Sequence, residues 1–216
     1  MQKVALIVAG GKGERMKADL PKQFLLLNGT PILMHTLKKF SHFGEIILVL
    51  PHSQFEYWQE LCNNYNFTQQ HTLVSGGITR FHSVKNGLDR IADNTIVAIH
   101  DGVRPLISTS LINDLVAEAK SGHAVIPIVP VRDSIRKVGG GKSVHLDRSN
   151  LFKTQTPQCF LSADIQKAYT QDFNGIFTDD ASVFESNGGK INTLLGEEKN
   201  LKITTEEDLK IASILI

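Results

Sequence analysis

Leu6-Ile7-Val8-Ala9-Gly10-Gly11-Lys12-Gly13-Glu14-Arg15-Met16, followed by Pro21-Lys22-Gln23, is the stretch of sequence that decides the fold. Its apolar residues predict a buried β-strand, and the glycines predict a turn. Because no Cβ intervenes, backbone N–H groups in such a turn can approach a phosphate closely. Arg15 and Lys22 supply the positive charge that a triphosphate needs. The stretch therefore predicts a nucleotide site suited to transfer chemistry rather than to simple binding.

The glycine pattern departs from two better-known nucleotide loops. A Walker loop needs Ser or Thr after its Gly-Lys pair, whereas Lys12 is followed by Gly13. The dinucleotide fingerprint needs a small third residue, where this chain has Met16. A nicotinamide-dependent oxidoreductase is therefore disfavoured. An ordinary glycine-rich turn with solvated charges is the alternative to the nucleotide site.

Apolar β-type runs alternate with helical segments along the chain. The predicted strands are Val4–Val8, Ile46–Leu50, Thr72–Val74, Ile96–His100 and Ala124–Val129, and the predicted helices are Ile32–Phe40, Gln54–Cys62, Thr79–Ile91 and Ser110–Ser121. Several of the strands are continuously apolar, as expected when both faces of a sheet are covered. The alternation predicts a mostly parallel α/β sheet, whose sites lie beyond the carboxyl ends of its strands.

Length, charge and cysteine usage bound the class of protein. The 216 residues fit one domain, residues 1–216, and the net charge of +1 gives no general attraction to nucleic acid or membranes. We find no secretory signal and no apolar run of membrane-spanning length. Cys62 and Cys159 are far apart and lack metal-ligand spacing. We expect a cytoplasmic protein without nucleic-acid or membrane partners.

The strand–helix rhythm breaks between Pro130 and Arg148. There Gly139-Gly140-Gly141 separates two β-type runs, which predicts a hairpin that projects from the sheet. A projecting arm has little to pack on within its own chain, so a partner subunit is a natural cover for it. A flexible surface loop is the alternative.

The tail predicts a strand at Ile191–Leu195 and a closing helix through Ile214. Thr204 and Glu207 have the spacing of a capping box for that helix. Upstream, Thr178-Asp179-Asp180-Ala181 places two acids at a helix start, where capping and the helix dipole explain them.

Two further segments carry residues suited to phosphate chemistry. Asp101 follows a buried strand, and a carboxylate in that position is a natural Mg²⁺ ligand beside phosphate oxygens. Arg104 is placed to clamp a second phosphate. The second glycine turn, Ser75-Gly76-Gly77, opens a helix that carries Arg80 and Ser83, and its backbone groups can bind an anion or a base edge. The structural alternatives are a turn-forming Asp, a solvated Arg and an unliganded helix cap.

Taken together, the motifs closely resemble those of the 2-C-methyl-D-erythritol 4-phosphate cytidylyltransferase family of isoprenoid-precursor synthesis, over nearly the whole chain. The matching segments are residues 9–16, 21–23, 76–84, 100–105, 131–135, 147–149, 154–158, 178–182 and 200–204. Two positions depart from the family pattern. Ser134 stands where threonine is common, and Gly102-Val103 stands where two small residues are common. The second departure is reminiscent of ribitol 5-phosphate cytidylyltransferases.

The resemblance implies that a cytidylyl group passes from CTP to 2-C-methyl-D-erythritol 4-phosphate, with release of pyrophosphate, in the non-mevalonate isoprenoid pathway. It implies a Rossmann-like three-layer sandwich, and a homodimer whose β-arm is residues 131–153. It also implies catalytic roles for Arg15, Lys22, Arg148 and Lys202, nucleotide binding by Ala9, Gly10, Gly11, Gly13, Gly77, Arg80 and Ser83, and acceptor binding by Asp101, Arg104, Ser134 and Thr156. Asp101 would also hold Mg²⁺, for which Mn²⁺ or Co²⁺ could substitute.

Two other functions stay open. A ribitol 5-phosphate or other polyol-phosphate cytidylyltransferase would keep the transfer cations and differ in its acceptor pocket. The arm segments Val131-Arg132-Asp133 and Asp147-Arg148 favour the methylerythritol acceptor. A non-catalytic nucleotide-binding regulatory protein would have lost the transfer cations, and this chain keeps them.

Overall fold

A mostly parallel sheet forms the centre of the computed structural model, which describes residues 1–11 and 20–216. The strands of the described residues are β1 (Gln2–Val8), β2 (Leu26–Leu27), β3 (Thr30–Pro31), β4 (Glu45–Leu50), β5 (Thr72–Ser75), β6 (Thr95–Asp101), β7 (Ala124–Pro130), β8 (Ile135–Gly139), β9 (Lys142–Leu146), β10 (Phe152–Thr154), β11 (Gln158–Leu161) and β12 (Ile191–Leu195). The helices are α1 (Ile32–Lys39), α2 (Phe55–Asn64), α3 (Arg80–Leu88), α4 (Thr109–Lys120), α5 (Ser162–Ala168), α6 (Asp180–Ser186) and α7 (Glu206–Leu215).

The strand order sets where a site can form. The main sheet runs β10-β7-β11-β6-β1-β4-β5, and β12 pairs with β7. β1 is parallel to both β4 and β6, and β4 is parallel to β5. The carboxyl ends of these four strands therefore meet at one edge of the sheet. β11 runs antiparallel to β6 and β7 and joins them.

Helices cover both faces of the sheet, as the continuously apolar strands predicted. In β1 the side chains alternate: Ala5 and Ile7 belong to one buried cluster, whereas Val4 and Leu6 belong to the other. The first cluster includes side chains of α1, α2 and α4, and the second includes side chains of α3, α5 and α6. The predicted three-layer α/β architecture is thus confirmed. No helix among the described residues is long and apolar enough to cross a membrane.

The predicted elements match the observed ones to within a few residues, with instructive differences. The closing helix begins one residue later than predicted, because Thr205 and Asp208, rather than Thr204 and Glu207, form its capping box. Thr79 is the N-cap of α3 rather than its first residue. Among the elements that had not been predicted are β10, β11 and α5. They are only 3, 4 and 7 residues long, too short for a clear hydrophobic period.

The predicted hairpin is confirmed as β8 and β9, which form a two-stranded antiparallel sheet separate from the main one. Its turn uses Gly140 and Gly141 at φ values of 57° and 71°, a region that glycine adopts without strain. Every residue of β9 is exposed. The predicted arm, 131–153, overlaps the main sheet at its end, because Phe152 and Lys153 pair with β7.

Candidate active site

A cavity of about 840 Å³ lies at the edge where the four parallel strands end. Segments after each of these strands contribute to its wall, as does the segment before α7. The described lining residues are Val8, Ala9, Gly10, Gly11, Lys22, Gln23, Pro51, Ser53, Gln54, Gly77, Ile78, Thr79, Arg80, Ser83, Asp101, Val103, Lys202 and Thr204. Three of them are Lys or Arg and one is Asp, so this wall carries a net positive charge and suits an anion.

Asp101, the last residue of β6, is the centre of the charged part of this wall. Its Oδ2 lies 3.0 Å from the Lys202 ammonium and 3.3 Å from Nε of Arg104. Its Oδ1 lies 3.7 Å from Nε of Arg80. Burial raises the pKa of this carboxyl, but Lys202, Arg80 and Arg104 lower it by more, so the pKa lies well below its ordinary value. Asp101 is therefore ionised across the physiological pH range.

Arg80 is fixed from behind by a buried acid. Its two terminal nitrogens donate to the two oxygens of Asp180, at 2.8 and 2.7 Å. The Tyr169 hydroxyl donates to the same carboxylate at 2.6 Å. Burial lowers the pKa of Arg80, but Asp180 and Asp101 raise it by more, so the guanidinium stays charged. This geometry leaves Nε of Arg80 directed at Asp101 and holds the guanidinium in one orientation.

The glycine turn after β1 is tied to the segment that carries Lys22. Gln23 is 1% exposed, and its side-chain nitrogen donates to the Ala9 carbonyl and to Oε1 of Gln54, both at 2.9 Å. A Cβ built on Gly11 would lie 3.9 Å from Cε of Lys22. The Gln23 amide therefore ties the backbone of the turn to the residue next to Lys22.

The second glycine turn is closed by Ser83. Its Oγ accepts the N–H of Gly77 at 3.0 Å and donates to the Thr79 carbonyl at 2.9 Å. A Cβ on Gly77 would lie 2.4 Å from Cβ of His82, so only glycine fits there. The turn thus lies at the N-terminus of α3, as predicted.

The structure brings most of the predicted site residues into this one cavity. Those lining it are Ala9, Gly10, Gly11, Lys22, Gly77, Arg80, Ser83, Asp101 and Lys202. Arg104 and Thr156 contact Asp101 from behind the wall. Ser134 and Arg148 are exposed on the arm and are not among the lining residues. Gly13 and Arg15 lie outside the described residues. The individual roles of all these residues stay predictions.

Comparison with known proteins gives the family. The model of one family, IspD: 2-C-methyl-D-erythritol 4-phosphate cytidylyltransferase, matches residues 3–216. The chain belongs to this family. A protein of that name from Azobacteroides pseudotrichonymphae genomovar. CFP2 is 49% identical over 221 residues, covering 100% of this chain and 99% of the relative. One from Porphyromonas gingivalis is 46% identical over 217 residues, covering 100% and 98%.

Solved structures of the cytidylyltransferase family have the same fold. The crystal structure from Francisella tularensis superposes with a TM-score of 0.83 at 32% identity and covers 100% of both chains. The crystal structure from Thermus thermophilus gives a TM-score of 0.82 at 27% identity, covering 100% of this chain and 98% of the other. The predicted resemblance, fold class and enzyme class are confirmed.

Three buried residues with functional contacts were not predicted for this member of the cytidylyltransferase family. Gln23 was part of a recognised motif, but nothing in the sequence indicated that its amide would bond to Ala9. Asp180 was explained as a helix-start acid, whereas Asp179 is the cap and Asp180 holds Arg80. In the sequence, His100 is simply the last residue of the predicted apolar strand Ile96–His100. Contacts between segments so far apart in sequence leave no local signal.

The side chains of the described residues suit a metal ion that is bound partly by substrate phosphates. They do not suit one that is bound by protein ligands alone. Among residues 1–11 and 20–216, no group of three or more His, Cys, Asp or Glu side chains could hold a metal ion. Mg²⁺ commonly takes one or two carboxylates together with substrate phosphates. Asp101 supplies one carboxylate, and its Oδ1 is the less strongly engaged oxygen.

Proposed function

We propose that this protein transfers a cytidylyl group from CTP to 2-C-methyl-D-erythritol 4-phosphate. The products are 4-diphosphocytidyl-2-C-methyl-D-erythritol and pyrophosphate, and the reaction is a step of the non-mevalonate isoprenoid pathway. The observation that carries the proposal is that Lys22, Arg80, Asp101 and Lys202 line one cavity, where Arg80 and Lys202 flank the Asp101 carboxylate. Family membership over residues 3–216 supports the same substrates.

The chemistry needs charge control rather than a general base. A phosphate oxygen of the acceptor forms a bond to the α-phosphorus of CTP, and the bond from that phosphorus to the bridging oxygen breaks as pyrophosphate leaves. The second pKa of a phosphomonoester is near 6, so the attacking group is already largely dianionic at pH 7. The obstacle is to bring two polyanions together in line, and fixed cations lower that barrier.

The positions of the cations suggest how they divide this work. Lys22, beside the first glycine turn, stabilises charge on the α-phosphate and on the leaving pyrophosphate, and the family resemblance assigns the same role to Arg15. Lys202 holds the acceptor phosphate, and Arg104 helps to orient it. Asp101 holds Mg²⁺, which when bound neutralises charge on triphosphate oxygens. Arg80, fixed by Asp180, keeps the Asp101 carboxylate oriented.

The nucleoside has its own part of the cavity. Ala9, Gly10 and Gly77 line the cavity after β1 and β5, where backbone with little or no side chain can approach the edge of a cytosine closely. Ser83 holds the second of these turns in shape. We assign cytosine binding to this pair of turns.

We further propose that the active form is a cytoplasmic homodimer in which residues 131–153 reach the partner's cavity. Two observations support this arrangement. Val144 and Leu146 lie on one face of the hairpin and are 58% and 37% exposed, an apolar surface that a second chain would cover. Ser134 and Arg148, expected at the acceptor, are not at the cavity of their own chain. The partner's arm would bring them to the site.

The test is pyrophosphate release from CTP and Mg²⁺ with three matched samples: 2-C-methyl-D-erythritol 4-phosphate, ribitol 5-phosphate and no acceptor. We expect rapid release with the methylerythritol phosphate alone. Preference for ribitol phosphate would keep the mechanism and change the acceptor. Folded protein that binds CTP and releases no pyrophosphate with either acceptor would contradict the proposal and favour a binding protein.

A further inference from the structure

Two buried polar side chains lie directly behind Asp101. His100 precedes it in β6 and is fully buried, and Thr156, between β10 and β11, is 5% exposed. Oγ1 of Thr156 lies 3.0 Å from the backbone N of Asp101 and 3.0 Å from Nδ1 of His100. Nε2 of His100 lies 3.1 Å from the carbonyl oxygen of Arg104. The hydroxyl and the imidazole thus connect the backbones of Asp101 and Arg104.

The direction of each hydrogen bond follows from the atoms. A carbonyl oxygen only accepts, so Nε2 of His100 carries the proton shared with Arg104. A neutral imidazole has one N–H, so with the proton on Nε2 its Nδ1 is an acceptor, at 3.0 Å from the Thr156 hydroxyl. The Thr156 hydroxyl therefore donates to Nδ1 and accepts the N–H of Asp101. Its one proton is used inside the protein rather than toward a ligand.

A second path leads from the same turn to the Arg104 side chain. The carbonyl of Thr156 accepts from Nδ2 of Asn200 at 3.0 Å, and the carbonyl of Asn200 accepts from Nη1 of Arg104 at 2.8 Å. Both the backbone and the guanidinium of Arg104 are therefore held through Thr156. A shift of this turn would move Arg104 and Asp101 together.

We propose that Thr156 and His100 are positioning residues that hold the Asp101 carboxylate and the Arg104 guanidinium in the orientation needed for Mg–CTP and acceptor phosphate. The inference rests on the proposed function and deepens it. The resemblance implied that Thr156 binds the acceptor. In this inference Thr156 instead orients the acceptor indirectly, through Asp101 and Arg104. Neither residue lines the cavity, so each acts through its neighbours.

The test compares Thr156→Val, Thr156→Ser and the control Thr154→Val. Valine matches threonine in size but lacks the hydroxyl, so the Asp101 N–H and Nδ1 of His100 lose their hydrogen-bond partner. Serine retains the hydroxyl. Thr154 is exposed two residues upstream, so its replacement makes the same chemical change away from Asp101. For folded protein we measure kcat, both KM values and Mg–CTP affinity by calorimetry.

We expect Thr156→Val to lower kcat roughly 10- to 100-fold, the scale of a small misplacement of catalytic groups, and to weaken Mg–CTP binding. Thr156→Ser should restore both quantities to within about threefold of the wild-type values, as expected when the hydrogen-bonding group is retained. Thr154→Val should leave both unchanged. If Thr156→Val does not fold, His100→Asn, which is too short to reach the Arg104 carbonyl, replaces it and should show the same two losses.

Folded Thr156→Val with wild-type kinetics and wild-type Mg–CTP affinity would overturn the inference. A rise in the KM of the acceptor alone would also overturn it, because that result indicates direct contact with the acceptor. Failure of the proposed function would look different: the wild-type protein would not turn over. In that case the Mg–CTP affinities of the same variants still decide the positioning role.

Discussion

The ammonium of Lys202 lies 3.0 Å from Oδ2 of Asp101, although the two residues are far apart in sequence. The same oxygen is 3.3 Å from Arg104, and Oδ1 is 3.7 Å from Arg80. An incoming bare cation would meet three positive groups before it reached the carboxylate. The negative charge of a triphosphate offsets those groups. The metal and the nucleotide should therefore enter the site together.

The first prediction concerns metal binding without nucleotide. Mn²⁺, followed by electron paramagnetic resonance, should bind at least about tenfold more weakly to the protein alone than to the protein with CTP, because the cations around Asp101 repel it. The control is CTP and Mn²⁺ without protein, which gives the affinity of the nucleotide itself. Saturable binding to the free protein with equal affinity would contradict the prediction.

The second prediction concerns Lys202. Replacing Lys202 by methionine removes the charge that we propose holds the acceptor phosphate and should lower kcat roughly 10²–10³-fold, the scale found for loss of one charge-stabilising donor. Lys199→Met is the matched control, because Lys199 is exposed nearby and does not line the cavity. Steady-state pyrophosphate release measures both. A folded Lys202→Met protein with near-normal kcat would rule out the role assigned to this lysine.

The third prediction concerns Gln23. In Gln23→Glu a carboxylate replaces the amide that donates to Ala9 and Gln54, so one buried and one partly buried acceptor lose their donor and a charge is buried. We expect a loss of about 2–4 kcal/mol in the free energy of unfolding, measured by denaturant titration. Gln59→Glu makes the same change on an exposed face of α2 and should cost little. Equal losses of unfolding free energy in Gln23→Glu and Gln59→Glu would contradict the stabilising role of the Gln23 hydrogen bonds.

The fourth prediction is a pH dependence with an optical signal. Nε2 of His71 accepts the indole N–H of Trp58, the only tryptophan of the chain, and Nδ1 donates to the Gln69 carbonyl. Burial lowers the pKa of His71, and the hydrogen bond to Gln69 offsets only part of that effect. The unfolded chain therefore takes up the proton first, and stability falls as the pH drops below about 6.5.

Tryptophan fluorescence of the folded protein should change only below the ordinary pKa of histidine, when protonation breaks the Trp58 bond. His71→Phe should remove both the spectral change and its share of the pH dependence of stability. His123→Gln, at an exposed histidine, should keep both. A titration that is the same in His71→Phe and in the wild type would assign the signal to another group.

The fifth prediction tests the arm by mixing two inactive variants. Lys202→Met carries an intact arm, and Arg148→Ala carries an intact cavity. If the arm serves the partner, each mixed dimer has one site with both residues intact, and random mixing should restore about a quarter of wild-type activity. If the arm serves its own chain, no mixed dimer has an intact site, and mixing restores nothing. Subunit exchange is confirmed by mass difference or affinity tagging.

Local patterns were sufficient for much of the fold. The run at β1, the glycine turn that opens α3 and the triple glycine of the hairpin each specify their structure through a few adjacent residues. For the same reason the sequence predicted that Gly10 and Asp101 would share one edge, since each follows a parallel strand. Lys202 was predicted as a site residue only through the resemblance to a known family, because the residues around it show no pattern typical of a functional site.

The contacts that fix the site depend on tertiary structure, and sequence patterns do not report them. Asp180 looks like any helix-start acid until α6 packs beside α3 and brings it to Arg80. Likewise Thr156 looks like part of a turn, and only the pairing of β11 with β6 places its hydroxyl on the Asp101 N–H. The antiparallel strand β11 was not predicted because four residues are too few to show the alternation of a strand.

The placement of β11 beside β6 has a consequence for protein synthesis. A nascent chain that has emerged only as far as residue 150 already contains β1, β4, β5 and β6, yet β6 still lacks its antiparallel neighbour. The Asp101 N–H then has no hydroxyl partner, and the carboxylate has no Lys202. The charged centre can therefore assemble only after Lys202 has left the ribosome. A chain translated only to residue 150 lacks the groups that fix Asp101 in this site.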